Sequence, residues 1–168
     1  MLFADGKKAV SVSFFLNFSI ANKAQFMDHS EFKILSATHE DFVGVRDFLA
    51  PFMDGIHLLE RTSVELELLL KHSFKAVASD AAGESERIVG FCALEIYSKK
   101  LAELQCLAVD KEFRRKGVGT ELVKACVAKA REEKVKEMMA ISSSDEMFKA
   151  CGFDYSLPNQ KRALFIQP

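Results

Sequence analysis

The densest chemistry in the chain lies in Leu107-Ala108-Val109-Asp110-Lys111-Glu112-Phe113-Arg114-Arg115-Lys116-Gly117-Val118-Gly119-Thr120. Arg114, Arg115 and Lys116 stand just before a segment of helical periodicity, where the helix macrodipole already places positive partial charge. An anion would neutralise that excess. Gly117 and Gly119 leave the backbone bare, so successive N–H groups from Arg114 to Thr120 can close on phosphate oxygens. The same residues also suit a solvated basic loop entering a helix. A Walker loop is excluded because G-x-x-x-x-G-K-[ST] does not occur, and a dinucleotide fingerprint fails because Leu122 occupies the third glycine position.

Charge elsewhere is nearly cancelled: 23 Lys+Arg against 24 Asp+Glu leave a net −1 over 168 residues. That balance argues against a nucleic-acid or anionic-membrane binder. It conceals two local excesses, +3 across residues 110–137 (nine bases, six acids) and −5 across residues 38–70 (seven acids, two bases). Cys92, Cys106, Cys126 and Cys151 stand 14, 20 and 25 residues apart, with no C-x-x-C pair. They read as small buried hydrophobes in a reducing, cytoplasmic compartment, and no metal site is expected. No apolar run reaches the roughly 20 residues of a membrane span.

The elements that must position the basic loop follow from periodicity. Residues 1–26 form a separate extension: Val10, Val12, Phe14, Leu16, Phe18 and Ile20 alternate with polar residues as in a half-buried strand, although a diluted secretory signal or a non-native arm fits too. Residues 27–168 read as one domain. Phe32 to Ser36 is a strand, and Thr38 with Asp41 starts a helix carrying Phe42, Val45, Phe48, Leu49 and Phe52 up to the interruption at Pro51. A second helix runs from Thr62 or Ser63 to about His72, with Val64, Leu68 and Leu69 inward. Phe74 to Ser79, Ile88 to Tyr97 and Leu101 to Val109 form an antiparallel meander, with Asp80 to Gly83 as its first turn. A helix from Gly117 to Lys134 buries Val118, Leu122, Cys126 and Ala130. The strand Glu137 to Ser142, a helix near Asp145 to Ala150 and the strand Arg162 to Ile166 complete an α/β chain.

Arg114-x-x-Gly117-x-Gly119 after Leu107-Ala108-Val109, with Cys151-Gly152-Phe153 after the short helix, resembles the GNAT N-acetyltransferases. Ala102-Glu103-Leu104-Gln105-Cys106-Leu107-Ala108-Val109, Phe148 to Phe153, Lys161-Arg162-Ala163-Leu164-Phe165 and Leu58-Leu59-Glu60-Arg61 are similar, within that family, to the acetyltransferase domain of N-acetylglutamate synthases. The resemblance implies a mixed, mostly antiparallel sheet with splayed strands and about four helices. It implies acetyl-CoA as cosubstrate. Its pyrophosphate would lie on Arg114, Arg115, Lys116, Gly117, Val118, Gly119 and Thr120, and its pantetheine along Leu107, Ala108 and Val109. Phe148 would face the coenzyme at a position where many relatives carry a Tyr acid.

On the same footing Glu103 is the expected general base, Tyr155 a candidate acid, and Arg61 and Lys161 the expected contacts of an acceptor carboxylate. Strand alternation puts Glu103, Gln105 and Leu107 on one face unless a bulge intervenes. The acceptor implied is a primary amine of a small molecule, an amino acid such as glutamate among them, reached by direct transfer. A peptide amine and a non-catalytic acyl-CoA-sensing module are the alternatives, and a homodimer is allowed.

Overall fold

The computed structural model describes residues 26–29, 31–55, 58–79, 85–143 and 145–155. The strands expected over 10–20 and 162–166, the turn at 80–83, and Lys161 lie outside the described residues. The chain runs β1 (Phe26–His29), β2 (Phe32–Ser36), a 3-10 turn (His39–Asp41), α1 (Phe42–Leu49), α2 (Ser63–Leu70), β3 (Ser73–Ser79), β4 (Glu86–Ile96), β5 (Leu101–Val109), α3 (Val118–Glu132), β6 (Glu137–Ala140) and α4 (Glu146–Ala150). Six strands form one sheet in sequential order. Neighbours pair antiparallel except β5 and β6, which are parallel and joined through α3. This is the expected mixed sheet with four helices; β1 is a strand that periodicity did not reveal.

Local chemistry sets the helix starts. Thr38 N–H donates to the Asp41 carboxylate at 2.9 Å. At α2, Thr62 N–H donates to Glu65 Oε2 at 2.7 Å while Glu65 N–H donates to Thr62 Oγ1 at 3.3 Å, a reciprocal capping box. α1 ends at Leu49 and a 3-10 turn Ala50–Phe52 follows, because Pro51 has no N–H to donate to the carbonyl four residues back and so cannot continue the α-helical ladder.

Two apolar layers sandwich the sheet. On one face α3 lays Val118, Leu122, Cys126 and Ala130 on Phe74, Ala76, Val89, Leu94 and Leu104. Val45 and Leu49 of α1 and Leu66, Leu69 and Leu70 of α2 cover Phe91, Ala93, Cys106 and Ala108 on the other. The inward stripe of α2 therefore differs from the expected one: Val64 and Leu68 are 67% and 72% exposed. α3 sits unusually close to the sheet at Gly90, where a Cβ would come within 2.8 Å of Val118 Cγ1.

Candidate active site

β5 carries one residue more than β4 can match. Phe91 pairs with Ala108 while Ala93 pairs with Gln105, so Cys106 and Leu107 share one partner position. Cys106 takes φ 55° at that bulge. The extra residue resets the side-chain alternation. Cys106 and Ala108 point towards α1 and α2, whereas Leu107 and Val109 turn to the α3 side. Leu107 thus leaves the face of Glu103 and Gln105, correcting the alternation read from sequence.

The parallel pairing of β5 with β6 begins at Leu101↔Glu137 and ends at Leu104↔Ala140. β5 continues to Val109. Among the described residues, its last turn of strand presents that edge without a neighbour, a gap whose backbone N–H and C=O groups can bond an amide-bearing ligand as a strand would.

The basic loop stands at the end of that edge. Asp110 and Glu112 both bind the Arg87 guanidinium, at 2.6 and 2.9 Å, and Asp110 accepts the Glu112 N–H at 2.9 Å. Arg87 holds the Asp110 carboxyl below the usual carboxylate range. Arg114 Nε donates to the Val109 carbonyl at 3.3 Å, Arg115 adopts φ 61°, and Gly117 adopts φ 88° as the N-cap of α3. Among the described residues no side chain caps α3, and the N–H groups of Val118, Gly119 and Thr120 have no partner within the helix. The site therefore fits a diphosphate: bare backbone donors flanked by two exposed guanidinium groups. Lys116 behaves differently. It pairs with Glu31 at 2.9 Å and lies over the Phe113 ring at 5.0 Å, bracing the loop against the start of β2.

Glu103 is 8% exposed. It faces the α1–α2 side directly opposite Glu95, and its Oε2 accepts the Tyr97 phenol at 2.5 Å. The same phenol lies 3.2 Å from Glu95 Oε2. Arg61 donates to Gln105 Oε1 at 2.8 Å, and Gln105 in turn hydrogen-bonds Tyr97. A cleft of about 590 Å³ lies beside this network, lined by Arg61, Glu65, Leu68, Glu95, Tyr97 and Gln105 among others, with Glu103 behind Tyr97 rather than on its wall. Tyr97 and Glu95 were missed from sequence, although a signal existed. A four-residue connection between β4 and β5 fixes the register that sets position 95 against position 103.

The remaining candidates lie apart. Phe148 packs edge-on to Phe153 at 5.7 Å between ring centroids, against the α3-side core. Tyr155 is 80% exposed, its phenol donates to Asp145 at 2.7 Å, and Lys149 lies over its ring at 4.6 Å. Among the described residues the phenol that touches Glu103 is that of Tyr97. Burial pushes the Cys106 and Cys151 thiols up from their ordinary pKa. No cluster of three His, Cys, Asp or Glu residues able to hold a metal occurs among the described residues, and no helix there is long and apolar enough to cross a membrane.

These features have counterparts in known proteins. An uncharacterized N-acetyltransferase of Chlorobaculum tepidum is 35% identical over 88 residues, 52% of this chain and 55% of that protein. The amino-acid acetyltransferase of Aeromonas salmonicida is 25% identical over 147 residues, 84% of this chain and 32% of the relative. The chain thus spans about half of the first and a third of the second. A Mycobacterium tuberculosis protein complexed with CoA superimposes with a TM-score of 0.64 at 23% identity, over 74% of this chain and 72% of that one. N-acetylglutamate synthase of Neisseria gonorrhoeae, complexed with CoA and N-acetyl-glutamate, gives 0.60 at 21% identity over 74% and 28%. Those structures share the fold. The acetyltransferase (GNAT) family model matches residues 42–153, from the start of α1 through the basic loop to Phe153, and the chain belongs to that family.

Proposed function

We propose that the protein is an N-acetyltransferase that moves an acetyl group from acetyl-CoA to a primary amine of a small molecule by direct transfer. The observation that carries this reading is the uncapped, cation-flanked start of α3 lying at the end of a strand edge that β6 leaves at Leu104. Arg114, Arg115 and the N–H groups of Val118, Gly119 and Thr120 hold the diphosphate. The open edge of Leu107, Ala108 and Val109 bonds the pantetheine amides, and Phe148 supplies an apolar wall. When bound, acetyl-CoA supplies an activated acyl group with a thiolate to leave.

The chain must then provide a neutral amine. Glu103, buried beside the cleft behind Tyr97, takes the proton from the acceptor ammonium through a water. Arg61 bonds the neutral amide of Gln105, which leaves its positive charge for an acceptor carboxylate, and an amino acid such as glutamate fits that end of the cleft. Lys161 joins Arg61 in this reading. A thiol with pKa near 8.5 needs no dedicated acid. Tyr155 would have to release Asp145 before donating, so we give it no step. The raised thiol pKa of Cys106 also argues against an acetylated cysteine. The same reading assigns the protein to the cytoplasm and allows a homodimer.

The test is calorimetry with CoA together with thiol release on a panel of glutamate, other amino acids, polyamines and peptides with free N-termini. Glu103→Gln should slow turnover by about a hundredfold or more with CoA binding unchanged. Reversing Arg114 and Arg115 to Glu should weaken CoA binding at least about tenfold. Absence of CoA binding in the unaltered protein would sink the reading. Phe148, at the position where the family resemblance implies a Tyr in many members, favours a second reading as a non-catalytic acyl-CoA sensor, and CoA binding without turnover on any amine would select it.

A further inference from the structure

Glu103 is nearly buried, whereas Tyr97, the group bonded to it, is half exposed. A base in this position faces a problem that its burial creates. Once coenzyme and acceptor fill the cleft, the proton it collects has no direct path to water. We propose that Tyr97 positions the Glu103 carboxylate and passes its proton to Glu95, and from there to solvent; the inference rests on Glu103 being the base of the proposed transfer.

The geometry supports both halves. With Glu103 ionised, the phenol donates to Glu103 Oε2 at 2.5 Å and so fixes that carboxylate. When Glu103 takes a proton from the acceptor ammonium, its new O–H donates to Tyr97 Oη. The phenol hydrogen then turns to Glu95 Oε2, 3.2 Å away. One proton leaves Glu103, one arrives on Glu95, and the phenol is neutral before and after. Burial, Glu103 and Glu95 together hold the Tyr97 pKa well above its ordinary value, so the phenol exchanges protons without resting as phenolate.

The surroundings fix the relay. Gln105 holds the phenol from β5 and is itself held by Arg61. The other charged groups on this cleft are Glu65 and Lys71 at either end of α2, and Glu133 past the end of α3. Glu65 is turned to Thr62, and Glu133 to Lys129 at 3.0 Å. His72 also lines the cleft and is kept below its usual pKa chiefly by burial. Glu95 is therefore the carboxylate in reach of the phenol besides Glu103 itself, among the described residues.

The experiment titrates the unliganded protein with carbon-13-labelled glutamate carboxyls, assigning the two signals by Glu103→Gln and Glu95→Gln. Tyr97→Phe keeps the ring at an exposed strand end and should fold, which a thermal melt checks. Its expected effect is a rise of the Glu103 midpoint by about one pH unit, tenfold in proton affinity. Glu95→Gln should lower that midpoint by removing a like charge across the strands. In turnover, Tyr97→Phe should lower kcat about tenfold with KM for acetyl-CoA unchanged, and should shift the acidic limb of the pH–rate profile upward. A tyrosine that merely packs the strand end would leave the Glu103 midpoint where it is in Tyr97→Phe. That result, with Glu103→Gln inactive, overturns the relay alone. Full turnover in Glu103→Gln overturns the base and the relay with it.

Discussion

Cys106 holds a backbone conformation that few non-glycine residues adopt, φ 55°, with its thiol buried against α1 and α2. That single residue lets β5 present Glu103 and Gln105 to one helix layer and Leu107 to the other. A β-branched side chain clashes with its own backbone in this region. Cys106→Val should accordingly cost about 2 kcal/mol of stability, read as a lowered urea midpoint, whereas Cys106→Gly, which gains conformational ease and loses a small side chain, should stay much closer to the unaltered protein. At this scale the motif residues were legible in the sequence: the glycines, the guanidinium groups and Glu103 are local in chain order. Tyr97 was not, because its partner lies across a hairpin and periodicity records no cross-strand contact. Leu107 was misplaced for a related reason, since an inserted residue flips every assignment beyond it.

Between elements, two contacts set the frame of the site. At Gly90 the side-chain hydrogen allows α3 to approach β4, and a methyl there would meet Val118 Cγ1 at 2.8 Å, Leu122 Cδ1 at 3.0 Å and the Ala76 Cβ at 3.3 Å. Gly90→Ala should destabilise by about 1–3 kcal/mol and also weaken CoA binding, because Val118 is the first residue of the helix whose start is the proposed anion site. Equal CoA affinity in that variant would show that the loop tolerates a shifted helix. The second contact is the ion pair of Asp41 with Lys75, which ties the turn before α1 to β3. Burial raises the Asp41 pKa, but the bonds from Lys75 and Thr38 outweigh it and hold the carboxyl below its ordinary 3.8. A depressed carboxyl stabilises the fold above its unfolded pKa and loses that contribution as pH falls through the folded value. Lys75→Met should therefore cost about 1–2 kcal/mol at pH 7, with the difference from the unaltered protein closing in chemical denaturation as the pH falls below the ordinary carboxylate range. Element identity was readable where one face is apolar, as in α3. It misled in α2, where Val64 and Leu68 rival Leu66, Leu69 and Leu70, and packing on Phe91 and Ala93 made the choice.

For the whole molecule, the order of elements revealed the architecture because a meander, a long helix and a following strand leave few ways to close a sheet. The charge distribution then makes chemical sense. The excess of base includes the loop before α3, where the proposed anion site lies, and the acids of residues 38–70 fall on α1, α2 and the segments beside them. What chain order could not disclose is where two neighbouring strands part company, since that depends on how the whole sheet twists around its cores.

The parting of β5 from β6 after Leu104 has a cost as well as a use. A strand edge that is unpaired among the described residues is also a template for any extended chain, including a second copy of the same strand, so self-association of the unliganded protein is expected to start there. CoA should act as a guard for that edge. At a hundredfold excess over its Kd it should add about 2.7 kcal/mol to the folded state and should delay light scattering on heating. Scattering that proceeds equally with and without CoA would mean that aggregation begins elsewhere.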